Sequence, residues 1–352
     1  MHLHSKKIWC YFIILILSSS LLITGCMYEQ TVSSDAPLSK ENYIFGTLVN
    51  IKLYDSQSEA IIDEAFSELS KLENILSVNK TNTLIDQINE SSGISPVQVD
   101  EETYQLIEKS LYYSDLTSGA FDITIGPIVK LWGIGFPNFR VPSQSEIDDA
   151  LPLIDYHLVT LNKANHSIYL EKSGMQLDLG GIAKGYAADK VVQLLRQNGV
   201  QRAMINLGGN LYALGDKPNH EPWIIGIQDP LDSRGEALGS IAVSNKSIVT
   251  SGIYERYNTG EDGKTYHHIL NPSTGYPFDN EIAGVSIISD SSTDGDALST
   301  SAFALGVKEG IDFIESLDGV DAIFVTTDKK IYITSGIKEG FNLLSSDYSI
   351  YN

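Results

Sequence analysis

A carboxylate and a hydroxyl stand one helical turn apart in the last fifth of the sequence. The segment 294–306, DGDALSTSAFALG, places Asp296 and Thr300 at positions i and i+4. On a helix these two side chains fall on one face. With a backbone carbonyl and phosphate oxygens beside them, such hard oxygen ligands suit Mg²⁺. Acidic residues near a helix start are also good caps, so capping by Asp294 and Asp296 is the alternative interpretation.

A pattern typical of anion binding occurs at residues 177–189, LDLGGIAKGYAAD. An apolar strand end delivers Asp178, two glycines allow a tight turn, and a helix then begins. A helix start presents free backbone N–H groups to an anion, and Lys184 adds a full positive charge. The segment matches neither the P-loop nor the GxGxxG fingerprint. The alternative is a plain strand-to-helix turn followed by a solvated surface lysine.

Two histidines precede a rigid turn in the segment 266–278, YHHILNPSTGYPF. The run Asn-Pro-Ser-Thr-Gly predicts a constrained loop. His268 borders this loop, where it would act as a general base. His267 would point to the opposite face if the strand persists. A structural hydrogen bond is the alternative role for an imidazole here.

The segment 119–135, GAFDITIGPIVKLWGIG, is rich in glycine and apolar residues and has few charges. Phe121 and its apolar neighbours would wall a pocket for a flat ring, and Asp122 would hydrogen-bond the edge of a heterocycle. A core strand and turn is the alternative. The glycine- and aromatic-rich stretches at 205–215 and 250–257 are also of a kind that lines a ligand.

Hydrophobic spacing predicts the elements that position these residues. Helices are predicted at 58–77, 101–113, 182–197, 294–305 and 311–317. Strands are predicted at 45–54, 156–161, 167–170, 202–207, 223–228, 239–243, 247–250, 266–270, 283–288, 322–326 and 331–334. Many adjacent strands with clustered helices favour one α+β domain with a mixed, largely antiparallel sheet over regular βαβ alternation.

The first residues are predicted to be a targeting signal and not part of the folded domain. Lys6 and Lys7 precede a short apolar run, which ends in Ile-Thr-Gly-Cys at Cys26. This pattern indicates a lipoprotein signal peptide over 1–25 and a lipidated Cys26, with an uncleaved anchor as the alternative. Residues 26–42 are then a polar tether, and the protein is expected to be extracytoplasmic and anchored to the cell membrane by lipid.

Cysteine usage and charge narrow the function classes. Cys10 and Cys26 are the only cysteines, so the mature domain is expected to have neither a disulfide nor a thiolate metal site. The formal charge is −21, and the sequence shows no basic stripe. Nucleic-acid binding is therefore excluded, since it depends on Lys and Arg that neutralise phosphates.

The sequence resembles the ApbE family of FAD:protein FMN transferases in the order and combination of its motifs. These are the lipobox that ends at Cys26, FGT at 45–47, GAFDITIGP, DLGGIAKGYAAD, INLGGN, TSGIYERY, HHILNPSTGYP and DALST. The resemblance covers about residue 43 to the C-terminus. It implies a single α+β flavin-transferase domain over 43–352. The implied reaction is the Mg²⁺-dependent transfer of FMN from FAD to a Thr or Ser hydroxyl of an acceptor protein, which releases AMP.

The resemblance also implies a site. It assigns Mg²⁺ to Asp296, Thr300 and the backbone carbonyl of Gly181. Asp296 and His268 are the predicted catalytic residues, and His268 is our own hypothesis for the base that accepts the hydroxyl proton. FAD would lie against Phe45, Ala120, Phe121, Asp122, Asp178, Lys184 and Leu270. The family usually has Met at the position of Phe45, and both residues give apolar contact. The implied acceptors carry a Ser-Gly-Ala-Thr-like motif and are membrane redox subunits or FMN-binding-domain proteins.

Three other functions fit parts of the pattern. An FAD pyrophosphatase would use the same residues with water in place of the protein hydroxyl. A flavin-binding lipoprotein without catalysis would store FAD, although storage needs no metal at the pyrophosphate. A solute-binding lipoprotein is disfavoured because the sequence lacks a pair of alternating βαβ lobes.

Overall fold

Residues 36–233 and 235–351, which the computed structural model describes, form short strands, seven α-helices and a few 3₁₀ turns. The strands are β1 (Leu38–Ile44), β2 (Thr47–Leu53), β3 (Val97–Gln98), β4 (Val159–Asn162), β5 (Ser167–Leu170), β6 (Ala203–Leu207), β7 (Asn210–Leu214), β8 (Trp223–Gln228), β9 (Ala237–Val243), β10 (Lys246–Gly252), β11 (Tyr257–Thr259), β12 (Thr265–His267), β13 (Ile282–Ser289), β14 (Asp321–Thr326), β15 (Lys330–Ile333), β16 (Phe341–Leu343) and β17 (Ser349–Tyr351). The helices are α1 (Glu59–Leu76), α2 (Leu84–Glu90), α3 (Glu101–Leu116), α4 (Gly126–Trp132), α5 (Gln144–Ala150), α6 (Ala183–Gln197) and α7 (Ser292–Glu315).

A nine-stranded sheet organises the fold, in the order β1-β2-β6-β7-β10-β13-β14-β15-β17. Its neighbouring strands pair antiparallel except β15 and β17, which are parallel. Smaller sheets have the orders β16-β9-β8, β3-β5-β4 and β11-β12. The predicted α+β class with a mixed, largely antiparallel sheet is therefore confirmed.

The apolar residues of the central strands divide between two cores. Alternate residues of β2, such as Val49 and Ile51, join α1, α6 and α7 in the larger core. Residues of β14 such as Ile323 face the other way and pack with Trp223 of β8 in the smaller core. All eight residues of β13 are buried, because both faces of this strand are covered.

Several predicted elements differ from the structure in instructive ways. The predicted strand over 266–270 extends only from Thr265 to His267. The core-strand alternative for 119–135 is wrong, because α4 forms there with Pro127 in its first turn and a left-handed Gly133 at its end. The predicted helices 294–305 and 311–317 correspond to the two parts of α7, which Gly306 separates with a non-helical φ of 83°; only their bounds differ from the prediction.

The N-terminal predictions fall mostly on residues beyond those that the structure describes. The signal peptide over 1–25 and the lipidated Cys26 lie outside the described residues. β1 begins at Leu38, so it overlaps the last part of the predicted tether over 26–42. No helix within residues 36–233 and 235–351 is long and apolar enough to cross a membrane.

Candidate functional site

The site is built where α6 and α7 pack against each other. A Cβ on Gly185 would lie 2.1 Å from the backbone oxygen of Ser292 and 2.8 Å from the Cβ of Asp296, so only glycine allows this approach. The backbone N–H of Gly185 donates to Asp296 Oδ2 at 2.9 Å. Gly185 is in the first turn of α6, where N–H groups lack partners within the helix. A carboxylate from α7 therefore caps α6.

The second oxygen of Asp296 faces a lysine. Asp296 is only 3% exposed, and its Oδ1 lies 3.4 Å from the Nζ of Lys184. The same Nζ lies 3.4 Å from the backbone oxygen of Gly180. Lys184 is therefore not the solvated lysine of the alternative interpretation. A carboxylate with one close N–H donor and one distant ammonium keeps lone pairs for a further ligand.

Thr300 completes this group from the next turn of α7. Its Oγ1 lies 3.4 Å from the position that a Cβ on Gly181 would take. Its hydroxyl has no hydrogen-bond partner within residues 36–233 and 235–351. The structure thus brings Gly181, Lys184, Asp296 and Thr300 together. No cluster of three or more His, Cys, Asp or Glu side chains suited to a metal occurs among the described residues.

Neither Asp294 nor Asp296 caps the start of its own helix, α7, as the alternative interpretation supposed. Within α7 itself, the N-cap residue Ser291 accepts the N–H of Asp294 at 3.2 Å through its side chain. Asp294 binds two residues of α3 instead: its Oδ1 lies 2.5 Å from Lys109 Nζ and 2.6 Å from Tyr113 Oη. Burial and this hydrogen bond raise the pKa of Tyr113. Asp294 is thereby occupied, and Asp296 is the acid available to the site.

Asp178 fixes the glycine turn that leads into α6. Its Oδ1 accepts the N–H of Gly180 at 2.7 Å, and its own N–H donates to the oxygen of Ile123 at 2.7 Å. Burial raises the pKa of this carboxyl, while the Gly180 N–H and the charges of Arg256 and Lys184 oppose that rise. Asp178 therefore lies within electrostatic reach of both cations.

The two histidines have different surroundings. His268 Nδ1 and the His268 N–H both lie 3.1 Å from the oxygen of Arg256. A carbonyl oxygen only accepts, so Nδ1 carries the proton and Nε2 keeps its lone pair. Burial, followed by the charge of Arg256, holds the pKa of His268 well below its usual value. His267 instead bonds the oxygen of Phe278 through Nε2 at 2.9 Å, and burial lowers its pKa.

The segment 120–122 packs against the glycine turn through Phe121. Phe121 is buried, and its Cε2 lies 3.0 Å from the position of a Cβ on Gly181. Both carboxylate oxygens of Asp122 are engaged within the protein, with Thr124 at 2.7 and 2.8 Å and with the Tyr156 N–H at 3.2 Å. Burial raises the pKa of Asp122. Ala120 is half-buried. FAD contact by these three residues stays a prediction.

Phe45 and Leu270 lie on two different structural elements. Phe45 (φ 55°) and Gly46 (φ 69°) form the two-residue turn between β1 and β2. A bulky residue with positive φ is uncommon and often marks a functional position. The neighbouring Thr47 packs on Gly208, where any Cβ would lie 1.9 Å from the Thr47 hydroxyl. Leu270 is 9% exposed and packs in a small core with Trp132.

Sequence reasoning missed three residues that the structure places at or beside this site. Gly185 and Asp189 both lie within the quoted segment 177–189, where their four-residue spacing puts them on one helix face. Arg256 lies within the stretch 250–257, where the glycine and aromatic residues, and not the arginine, supported the predicted ligand contact. Its backbone oxygen orients His268, and its Cδ lies 3.3 Å from the position that a Cβ on Gly135 would take.

The chain is similar to known proteins of one family. Residues 45–324 match the ApbE family. The chain is 40% identical over 319 residues to an FAD:protein FMN transferase of Klebsiella pneumoniae (strain 342), covering 91% of this chain and 98% of that protein. It is 36% identical over 327 residues to one from Treponema pallidum (strain Nichols), covering 88% and 90%.

Solved structures show the same fold. The ApbE protein of Thermotoga maritima superposes with a TM-score of 0.79 at 32% identity, covering 86% of this chain and 99% of that one. The apo form of the flavinyl transferase ApbE of Pseudomonas stutzeri superposes with a TM-score of 0.77 at 28% identity, covering 88% and 98%.

Proposed function

We propose that this chain, which belongs to the ApbE family and is an FAD:protein FMN transferase like its relatives, uses Mg²⁺ to move FMN from FAD onto a Thr or Ser hydroxyl of an acceptor protein. The reaction releases AMP. One observation carries the finer part of this proposal. The start of α6 and one face of α7 bring together a lysine, a buried carboxylate, the Thr300 hydroxyl and a glycine turn.

The donor set at this point fits Mg²⁺. Asp296, the Thr300 hydroxyl and the carbonyl of Gly181 would hold the ion, and phosphate oxygens would complete its shell, since Mg²⁺ rarely has an all-protein cage. Bound there, Mg²⁺ would offset the charge of the pyrophosphate. The Gly185 N–H binds Oδ2 of this carboxylate, while Oδ1 lies 3.4 Å from Lys184 Nζ and would be the oxygen that binds the ion.

The residues of α6 would position the pyrophosphate. Lys184 contributes a full positive charge, and the helix start contributes its dipole and free N–H groups. Phosphoryl transfer depends mainly on such positioning and charge stabilisation. Asp178 supports this arrangement because its bond to the Gly180 N–H fixes the turn.

His268 would take the proton of the acceptor hydroxyl at Nε2. The hydroxyl oxygen forms a bond to the phosphorus on the FMN side, and the bond from that phosphorus to the bridging oxygen breaks, so the electron pair leaves with AMP. The lowered pKa keeps His268 neutral at pH 7, as a general base requires. Arg256 holds the Nδ1 proton through its backbone oxygen.

The remaining assignments complete the proposal. Phe45, the segment 120–122 and Leu270 would contact FAD, and the acceptor would present a Ser-Gly-Ala-Thr-like motif. Lipidation of Cys26 would hold the enzyme on the outer face of the cell membrane, beside membrane redox subunits or FMN-binding-domain proteins. A shared surface raises the effective concentration of enzyme and acceptor.

Intact mass spectrometry tests the proposal. The purified chain is mixed with FAD, Mg²⁺ and an FMN-binding domain that carries the Thr motif. We expect the acceptor to gain one FMN less water, and EDTA to abolish the gain. Free FMN and AMP without an adduct would identify an FAD pyrophosphatase instead. Bound, unchanged FAD would identify a flavin-storage protein.

A further inference from the structure

The carboxylate of Asp189, in the middle of α6, binds the first residues of α7 through four hydrogen bonds. Its Oδ1 accepts the backbone N–H of Ser292 at 2.8 Å, and its Oδ2 accepts that of Thr293 at 2.9 Å. Oδ2 also accepts the hydroxyls of Ser291 and Thr293 at 3.0 and 2.6 Å. N–H groups at a helix start lack partners within their helix, so Asp189 satisfies two of them from outside.

A second carboxylate makes the reverse connection one turn away. Asp296 stands four residues after Ser292 in α7, and it accepts the N–H of Gly185. Gly185 in turn stands four residues before Asp189 in α6. Each helix therefore supplies an aspartate that caps the start of the other. A shift of either helix along the other would break both connections.

These two connections hold the elements that the proposed metal site needs. Gly181 and Lys184 belong to the start of α6, whereas Asp296 and Thr300 project from α7. Hydrogen bonds around a metal site orient its ligands, and their loss typically weakens metal binding. Asp189 is the bond partner that sets where α7 begins, one turn before Asp296.

We propose that Asp189 is a positioning residue: by fixing the start of α7 against α6, it holds Asp296 and Thr300 in place to bind the divalent metal with Gly181. This inference rests on the proposed function, because it concerns the metal of that reaction. A cap that served stability alone would change the melting temperature and leave metal affinity unchanged.

The variants Asp189→Asn and Asp290→Asn separate these roles. Both remove one negative charge near the start of α7, but Asp290 has an 80% exposed side chain and forms an ion pair with Lys246 at 2.8 Å. Mn²⁺ binding to each full-length variant is measured by electron paramagnetic resonance with FAD present. FMN transfer is measured in parallel against Mg²⁺ concentration.

We expect Asp189→Asn to weaken Mn²⁺ binding, and to raise the Mg²⁺ concentration for half-maximal transfer, by about tenfold. The rate at saturating Mg²⁺ should stay within about threefold of wild type, since the reacting groups are unchanged. Asp290→Asn should match wild type in both measurements. Wild-type metal affinity in Asp189→Asn would overturn the inference, whatever its melting temperature.

A milder variant covers the case in which Asp189→Asn does not fold. Thr293→Val removes one hydroxyl bond to Asp189 and leaves the backbone N–H in place. We expect a weakening of metal binding of about threefold, and unchanged affinity would overturn the inference. Wild-type protein that binds no Mn²⁺ and transfers no FMN would instead overturn the proposed function, so the wild-type measurement distinguishes the two failures.

Discussion

The two ends of α6 differ in how they are packed and in what they offer a ligand. At its start, Gly185 touches α7, and the polar groups of Lys184 and Asp296 converge at a nearly closed contact. Towards its other end, an open cleft of about 480 Å³ extends from Asp189 and Ser291 to Arg196 and Tyr212. Lys184 and Arg196 are twelve residues apart, which is about 18 Å along a helix.

Under the proposed function, the reaction takes place at the tight end of α6 and not in the open cleft. In the cleft, Arg196 donates to two neutral groups, the Tyr212 hydroxyl at 3.5 Å and the side-chain oxygen of Asn245 at 3.3 Å. The tight end instead combines a buried carboxylate with an unpartnered hydroxyl and a lysine. Phosphoryl transfer depends on such convergent charge and positioning. The contrast between the two ends can be tested by changing each in turn.

Removal of the buried carboxylate should have the largest effect. We expect Asp296→Ala to slow FMN transfer on the order of 10³-fold or more, because the proposed metal loses its only charged protein ligand. Intact mass spectrometry of the acceptor over time measures the rate. The rise in melting temperature that Mg²⁺ gives with FAD bound should also disappear. Transfer near the wild-type rate would contradict the placement of the site.

His268→Ala should slow transfer by about 10²-fold or more, as expected for loss of a general base. FAD binding, measured by fluorescence quenching, should change little. Nearly unchanged transfer at pH 7 would show that another group takes the proton.

The pH profile of the wild-type enzyme gives a further test of His268. Because burial and Arg256 lower its pKa below the usual 6.5, the neutral, active form persists at mildly acid pH. The transfer rate should therefore be flat from neutral pH down to the usual 6.5 and fall only below it. A fall that begins above neutrality would contradict the assignment.

Gly185→Ala tests the close packing itself. A methyl group there would lie 2.1 Å from the Ser292 oxygen, so the helices must separate. We expect a loss of about 1–3 kcal/mol in the free energy of unfolding, together with weaker Mg²⁺ dependence of transfer. Gly199→Ala, just beyond the other end of α6, is the control. Its Cβ meets nothing within 4 Å but its φ is +79°, so it should lower stability without altering metal affinity.

Arg196→Ala should have the smallest effect. The arginine borders the larger cleft but lies far from the proposed reaction, so transfer should stay within about twofold of wild type. A loss comparable to that of Asp296→Ala would show that the cleft, rather than the α6–α7 contact, binds FAD.

Local patterns in the sequence predicted the parts of the site that depend on one element. The i, i+4 spacing of Asp296 and Thr300 placed them on one helix face, and α7 confirms that face. The Gly-Gly step before α6 was similarly readable. The fold class followed from the density of short strands. In each case the decisive interactions lie within a few residues along the chain.

The unpredicted parts depend on contacts between distant segments. Nothing within 177–189 indicates that Asp189 meets residues more than a hundred positions later. The hydrogen bond from His268 to the Arg256 oxygen likewise depends on the pairing of β11 with β12, which brings the two residues together. The whole of β1 was missed because its largely exposed, polar residues show little alternation, and pairing with β2 is what defines it. Pro127 and Gly133, in contrast, were readable signals of α4.

The most direct test of the central claim is a crystal structure with FAD and Mn²⁺, in which anomalous scattering locates the metal. We expect one strong peak in contact with Asp296, Thr300 and the carbonyl of Gly181, beside the pyrophosphate. A peak elsewhere, for example in the cleft beside Arg196, would contradict the account, as would FAD bound at the α6–α7 contact with no metal.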